Sequence, residues 1–277
     1  MAEVTAALIK QVREITGAGM SDVKKALVEA DGDKDTAIDE LRKKGAAKAV
    51  KRGAERTATN GLIAAAEGAI IELACETDFV AKNEQLLQLG TDVVAHAAKT
   101  APADLPALLA ETLADGQQVE AAVTAAAASL GEKIELRRYA RLEGTVATYL
   151  HKKAADLPPQ IGVLVAFQGG SAAGAEAARG VAMQAAALPA TQYVRREEVP
   201  AAAIERERGI AEEIARTEGK PEAALARIVD GRVQGYYKDV VLLEQPSVRD
   251  SKKTVKQVLA DAGVSVTSFV RFEVGAA

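Results

Sequence analysis

Ile70-Ile71-Glu72-Leu73-Ala74-Cys75-Glu76 runs directly into Thr77-Asp78-Phe79-Val80. In the first segment Ile71, Leu73 and Cys75 alternate with Glu72, Ala74 and Glu76, the period-two pattern of a half-buried strand. Beyond the second segment Leu86, Leu89, Val93, Val94 and Ala97 recur at helical spacing, which predicts a helix beginning near Lys82. Phe79 therefore stands at a strand-to-helix junction, beside an acid, in a chain that is only 3% aromatic. It could anchor the helix in the core while Asp78 caps it, or it could be a wedge aimed at a partner. Spacing alone favours the anchor and leaves the wedge open.

Outward from this junction the chain reads as an α+β protein. Before it, residues 1–45 predict three short helices: one with Leu8, Val12 and Ile15 on a face and an end at Gly17-Ala18-Gly19, a second capped by Ser21, and a third carrying Ala37, Ile38 and Leu41 before Gly45. Helices this short must pack together to bury their apolar faces. Residues 46–60 are basic and Ala-rich, with Lys48, Lys51, Arg52 and Arg56. Lacking an interleaved aromatic for base stacking, they read as a linker rather than a nucleic-acid patch.

From Gly61 the pattern strand, turn at Glu67-Gly68, strand, helix, closing strand Ile134–Leu142 fills residues 61–143. Gly144-Thr145-Val146-Ala147 restarts it, and residues 144–277 repeat the order with strands at 161–167 and 264–274. Two related antiparallel-sheet and helix subdomains follow. The second carries an insertion, residues 200–237. There Ile204, Ile210 and Ile214, the turn Glu218-Gly219-Lys220-Pro221, and Leu225, Ile228, Val229 and Val233 predict an antiparallel helical hairpin. Such an arm touches either a partner or a second copy of the chain, and both readings stay open.

Composition narrows the function. With 277 residues, 48% of them hydrophobic, the chain can bury a large core. A net charge of −4 argues against nucleic acid or an anionic membrane as the main ligand. Met1-Ala2-Glu3 does not open a signal peptide and no apolar run is long enough to span a bilayer, so a cytoplasmic location is expected. The single cysteine, Cys75, shares a strand face with Ile71 and Leu73 and reads as a core thiol. His96 and His151 lack companions at metal spacing, so neither metal nor cofactor is expected. No nucleotide-binding glycine motif and no pair of carboxylates for acid–base work stands out. The chain reads as a protein that acts on another protein rather than as an enzyme. A hydrolase built on Cys75 with His96 or His151 is the remote alternative.

Several motifs in order resemble the bacterial elongation factor Ts family, the guanine-nucleotide exchange factors for elongation factor Tu. They are Ala2-Glu3-Val4-Thr5-Ala6, Thr16-Gly17-Ala18-Gly19-Met20, Asp22-Val23-Lys24-Lys25-Ala26-Leu27, Thr77-Asp78-Phe79-Val80-Ala81-Lys82, Lys253-Thr254-Val255, and Phe269-Val270-Arg271-Phe272-Glu273-Val274-Gly275. The resemblance implies a ubiquitin-associated-like fold for the three helices. It also reverses the reading of Phe79: in the family this aromatic enters the partner's G domain near the nucleotide-bound magnesium and helps dislodge the ion, so Thr77, Asp78, Phe79 and Val80 become partner-binding residues. Positions matching Arg13, Met20 and Ser21 face a helix of that G domain, and His151 matches a position directed at its phosphate-binding side. Ser21 stands where a second methionine is common, the turn after His151 is longer than usual, and nothing after Ala277 matches the C-terminal helical module of some members. A homodimer of the factor–partner pair is one use of the hairpin. The competing reading is a protein-interaction adaptor without exchange activity.

Overall fold

The computed structural model describes residues 4–276, those at 46 and 48–55 by their backbone alone. Helix α1 (Ala6–Thr16) starts at Thr5, whose hydroxyl accepts the Leu8 N–H, and stops at Gly17. Gly17 adopts φ 65° and returns its N–H to Arg13 O, a left-handed C-cap that glycine enters without steric cost. Helix α2 (Met20–Glu29) is N-capped by Gly19 rather than by Ser21. Helix α3 begins at Lys34 and runs to Glu55, straight through Gly45 and the stretch expected to be a linker. The three helices share a core of Val12, Val23, Leu27, Ile38 and Leu41. Ile15, expected on the buried face of α1, is 49% exposed. The side chains of Lys48, Lys51 and Arg52 lie outside the described residues, as do Met1, Ala2 and Glu3, while Arg56 pairs with Glu76 at 2.9 Å.

Strands β1 (Asn60–Ala66) and β2 (Ala69–Cys75) form a tight antiparallel hairpin over Glu67-Gly68, with Asn60 opposite Cys75 and Ala66 opposite Ala69. Helices α4 (Asp78–Ala81), α5 (Glu84–Thr100), α6 (Leu105–Ala110) and α7 (Val119–Leu130) then lead to β3 (Ile134–Arg141), which pairs antiparallel with β2. The sheet order is β1-β2-β3. Leu62, Ile71, Leu73, Leu86, Val93 and Leu108 belong to the core between this sheet and its helices. Gly61, at φ 141°, is needed for close approach: a Cβ there would stand 2.2 Å from Leu73 O.

Strand β2 departs from the half-buried expectation, because all seven of its residues are buried, Glu72 included. The face carrying Glu72 is covered by arginines and by the end of the chain. Glu72 Oε2 accepts from Arg138 Nε at 2.5 Å, and its Oε1 accepts from Arg137 Nη1 at 3.4 Å and from the Gly275 N–H at 3.1 Å. Arg138 also donates to Glu273 O and lies 4.6 Å over the Phe272 ring. A buried carboxylate is tolerated where charge and hydrogen bonds are supplied in this way.

The second sheet contains β4 (Thr145–His151), β5 (Ile161–Gln168) and, at the end of the chain, β6 (Ser265–Glu273), in the order β4-β5-β6. Between β5 and β6 lie α8 (Ala172–Ala187), α9 (Ala201–Thr217), α10 (Glu222–Val240) and α11 (Val255–Asp261). Helices α9 and α10 make the expected hairpin. Ala211, Ala215, Leu225, Val229 and Val233 are its buried seam, whereas Ile210 and Ile214 are 45% and 38% exposed. At its base the Arg196 guanidinium lies 4.0 Å over Tyr237 and bonds the Glu244 carboxylate, holding that carboxyl below its usual range.

Contacts group the chain into two compact units. One comprises the residues up to Arg141 with Leu150–Gly162 and those from Phe272 onward. The other comprises Leu142–Tyr149 and Val163–Arg271. The helical bundle belongs to the first unit, where a Cβ on Gly45 of α3 would stand 3.1 Å from Ala128 of α7.

Candidate partner-binding site

The junction after β2 is built to present one side chain. Thr77 is extended, and its Oγ1 accepts the Val80 N–H at 3.3 Å, so Thr77 caps α4. Asp78 is the first residue of that helix rather than a cap, and α5 has its own cap in Asn83. Only four residues long, α4 turns Ala81 fully into the core and packs Val80 against it. Phe79 points away and is 78% exposed, which removes the core-anchor reading. Burying a Phe yields about 1.5–3 kcal/mol, and in the free protein most of that remains unused.

Charges surround the base of the ring. Lys82 Nζ lies 5.4 Å from the Phe79 centroid, 3.6 Å from Asp78 Oδ2 and 3.0 Å from Asp156 Oδ2. The hydrogen bond that Lys82 donates to Asp156 holds the ammonium above its usual range, and the same bond holds the Asp156 carboxyl below its own. Asp156 belongs to the turn that follows β4. His151, exposed at the end of that strand, accepts the Gln160 N–H on its carbonyl at 2.9 Å. The Lys82–Asp156 pair thus ties the turn beyond His151 to the Phe79 junction.

Arg13, Met20 and Ser21 sit on the helical bundle. Arg13 and Met20 line an open depression of about 620 Å³ together with Ala6, Ile9 and Gly17. Met20 is 61% exposed, and Ser21 follows it in the first turn of α2, also exposed. Ile15 and Val28 add apolar surface to the bundle. Ile15 was hidden in the sequence because its helical spacing from Val12 matches a core position.

The alternative chemistry finds little support. Burial, reinforced by the nearby Glu132 carboxylate, pushes the Cys75 thiol up to about 12. At neutral pH it is therefore protonated, and it donates to Thr77 O at 3.1 Å. His96 Nε2 lies 2.8 Å from Glu111 Oε2 on the far end of α5. Among the described residues no three metal-binding side chains cluster, and no helix is long and apolar enough to cross a membrane.

An aromatic held outside the core on a short capped helix, with an open apolar depression on an adjoining bundle, belongs to proteins that work by docking. Comparison with known proteins makes this specific. The model of the Elongation factor TS family matches residues 76–276. The elongation factor Ts of Nocardia farcinica is 59% identical over 277 residues, covering 100% of both chains. That of Mycobacterium ulcerans is 58% identical with the same coverage, and that of Rhodococcus erythropolis 55% identical over 276 residues, covering 100% of this chain and 99% of its own. The chain belongs to the elongation factor Ts family, the translation elongation factors that the motifs resembled.

Proposed function

We propose that the protein is the guanine-nucleotide exchange factor for elongation factor Tu, working in the cytoplasm during translation elongation. The observation that carries this reading furthest is Phe79, 78% exposed at the tip of a turn whose base is otherwise half-buried or buried. On docking to the GDP-bound partner, Phe79 enters the G domain near the magnesium ion and the phosphates, with Thr77, Asp78 and Val80 framing it. Arg13, Met20 and Ser21 grip a helix of the same domain, and His151 faces its phosphate-binding side. The magnesium belongs to the partner's nucleotide site, so the protein itself needs no metal or cofactor.

Magnitudes set the division of labour. The roughly 1.5–3 kcal/mol from burying Phe79, at about 1.4 kcal/mol per tenfold, weakens bound nucleotide by only one or two powers of ten. The remainder comes from docking energy at the bundle and sheets. Coupling is reciprocal: a factor that weakens nucleotide binding is itself weakened by nucleotide. GTP rebinding therefore releases it for another cycle.

Stopped-flow release of a fluorescent GDP analogue from elongation factor Tu at fixed magnesium tests the proposal. Acceleration that saturates with factor concentration is the expected result. Binding without acceleration would replace exchange with the adaptor reading. Phe79→Ala is expected to bind and to lower the saturating rate at least about tenfold.

A further inference from the structure

Phe79 is too exposed for packing to hold it, so its position must come from the backbone beneath. Three hydrogen bonds there converge on one carboxylate. Glu132 follows Gly131, the residue at φ 75° that ends α7, and lies two residues before β3. Its Oε2 accepts the backbone N–H groups of Glu76 at 3.1 Å and Thr77 at 3.0 Å, and its Oε1 accepts the Thr77 hydroxyl at 2.6 Å. The Lys133 N–H answers by donating to Glu76 Oε1 at 2.6 Å. A hydroxyl has one proton to give. With that proton directed at Glu132, Thr77 Oγ1 offers a lone pair to the Val80 N–H, which caps α4. Glu132 therefore sets the cap as well as the path of the turn.

The second sheet offers a natural contrast. Gly263, at φ 68°, follows α11, and the next residue is Val264 rather than a carboxylate. Val264 packs against the turn before α8 and the first turn of that helix, where a Cβ on Gly169 or on Gly174 would stand 2.6 or 2.3 Å from its Cγ1. Ser171 caps α8 as Thr77 caps α4. The position after the glycine is thus an apolar filler where no aromatic is presented, and a hydrogen-bonding anchor where one is.

We propose that Glu132 is the positioning residue of the exchange site: it acts through the Glu76–Thr77 backbone and the α4 cap to fix the direction of Phe79. The proposal rests on the exchange reading for its kinetic consequence, though not for its geometry. Two measurements on the full chain test it. In stopped-flow GDP release, Glu132→Val is expected to lower the saturating rate about tenfold, as loss of charge-assisted hydrogen bonds implies. The half-saturating concentration stays within about twofold, and Glu132→Gln, which keeps an acceptor, recovers most of the rate. Because the residue works through Phe79, adding Glu132→Val to Phe79→Ala costs no more than about twofold further. A wild-type rate in Glu132→Val, or losses that multiply in the double variant, overturns the proposal. Should Glu132→Val fail to fold, Thr77→Val removes the hydroxyl that Glu132 receives, and a wild-type rate there overturns it equally. The second measurement is the ¹⁹F line of 4-fluorophenylalanine at position 79 in the free protein. It is expected to shift and broaden in the Glu132 or Thr77 variant, and an unchanged line overturns the proposal whatever the exchange result. Absence of acceleration by the wild-type protein would sink the exchange reading alone.

Discussion

The two strand-to-helix junctions, after β2 and after β5, are the same piece of architecture put to different use. Each follows the middle strand of a three-stranded sheet, and each is capped by a hydroxyl, Thr77 in one and Ser171 in the other. After the cap comes Asp78-Phe79-Val80 in the first half and Ala172-Ala173-Gly174 in the second. The first helix stops after four residues, while the second runs on for sixteen, and most of its buried residues are small. The middle strands differ as well. The fourth residue of β2 is the buried Glu72, and the fourth of β5 is Leu164 in a run of buried apolar residues. A repeated fold thus supplies two equivalent places to present a side chain, and only the residues decide which one carries an exposed aromatic.

The largest expected effect separates the middle strands. Glu72→Gln keeps the shape but removes the carboxylate that Arg138 and Arg137 share, Arg137 keeping its second partner Glu135, and should cost about 3 kcal/mol. Leu164→Met, a volume-conserving swap in an apolar environment, should cost less than about 1.5 kcal/mol. Urea unfolding followed in both variants compares them directly, and equal losses would mean the charge in β2 has no special weight. At the junctions the order of effects reverses between stability and activity. Phe79→Ala, already taken to be slow in GDP release, should change folding stability by less than about 0.5 kcal/mol because the ring contacts little of its own protein.

Placing an aromatic on the other junction asks whether position suffices. Ala173 is exposed, so Ala173→Phe should leave stability within about 0.5 kcal/mol. GDP release should stay at the wild-type rate, and a faster rate would show that any aromatic at such a junction drives exchange. The smallest effect concerns the Lys82–Asp156 pair. Its folded-state carboxyl titrates below the ordinary aspartate value, so the attraction is present above that ordinary value and is lost as pH falls through the depressed one. A ¹³C NMR titration should find the Asp156 midpoint moving up towards the ordinary value in Lys82→Gln. An unmoved midpoint would remove the pair as its cause.

Local pattern made much of this legible. The alternation in 70–76, the restart at Gly144 and the Pro221 turn were enough to place both sheets and the hairpin, because each depends on neighbours within a few residues. Long-range partners were not legible. Glu72 read as a solvent-facing residue, since nothing nearby announces that Arg137, Arg138 and Gly275 will cover it. Glu132 went unnoticed for the same reason, lying 55 residues from the threonine it holds. Phe79 itself was ambiguous until the family motif was weighed, because helical spacing cannot tell a residue turned into the core from one turned out by a four-residue helix. Gly45 looked like a helix end, and packing of α3 on α7 carried the helix through it.

The hydrogen bond from Gly275 to Glu72 has a consequence for the order in which the molecule is made. Its two ends are 203 residues apart in the chain. At about 5–20 residues per second, the donor leaves the ribosome roughly 10–40 s after the acceptor. Throughout that interval the carboxylate in the middle of the first sheet lacks one of its donors, along with the Phe272 ring and the Glu273 carbonyl that help hold Arg138 over it. The sheet that bears Phe79 therefore waits for residues made long after its own strands, and a chain lacking them carries its defect in that sheet.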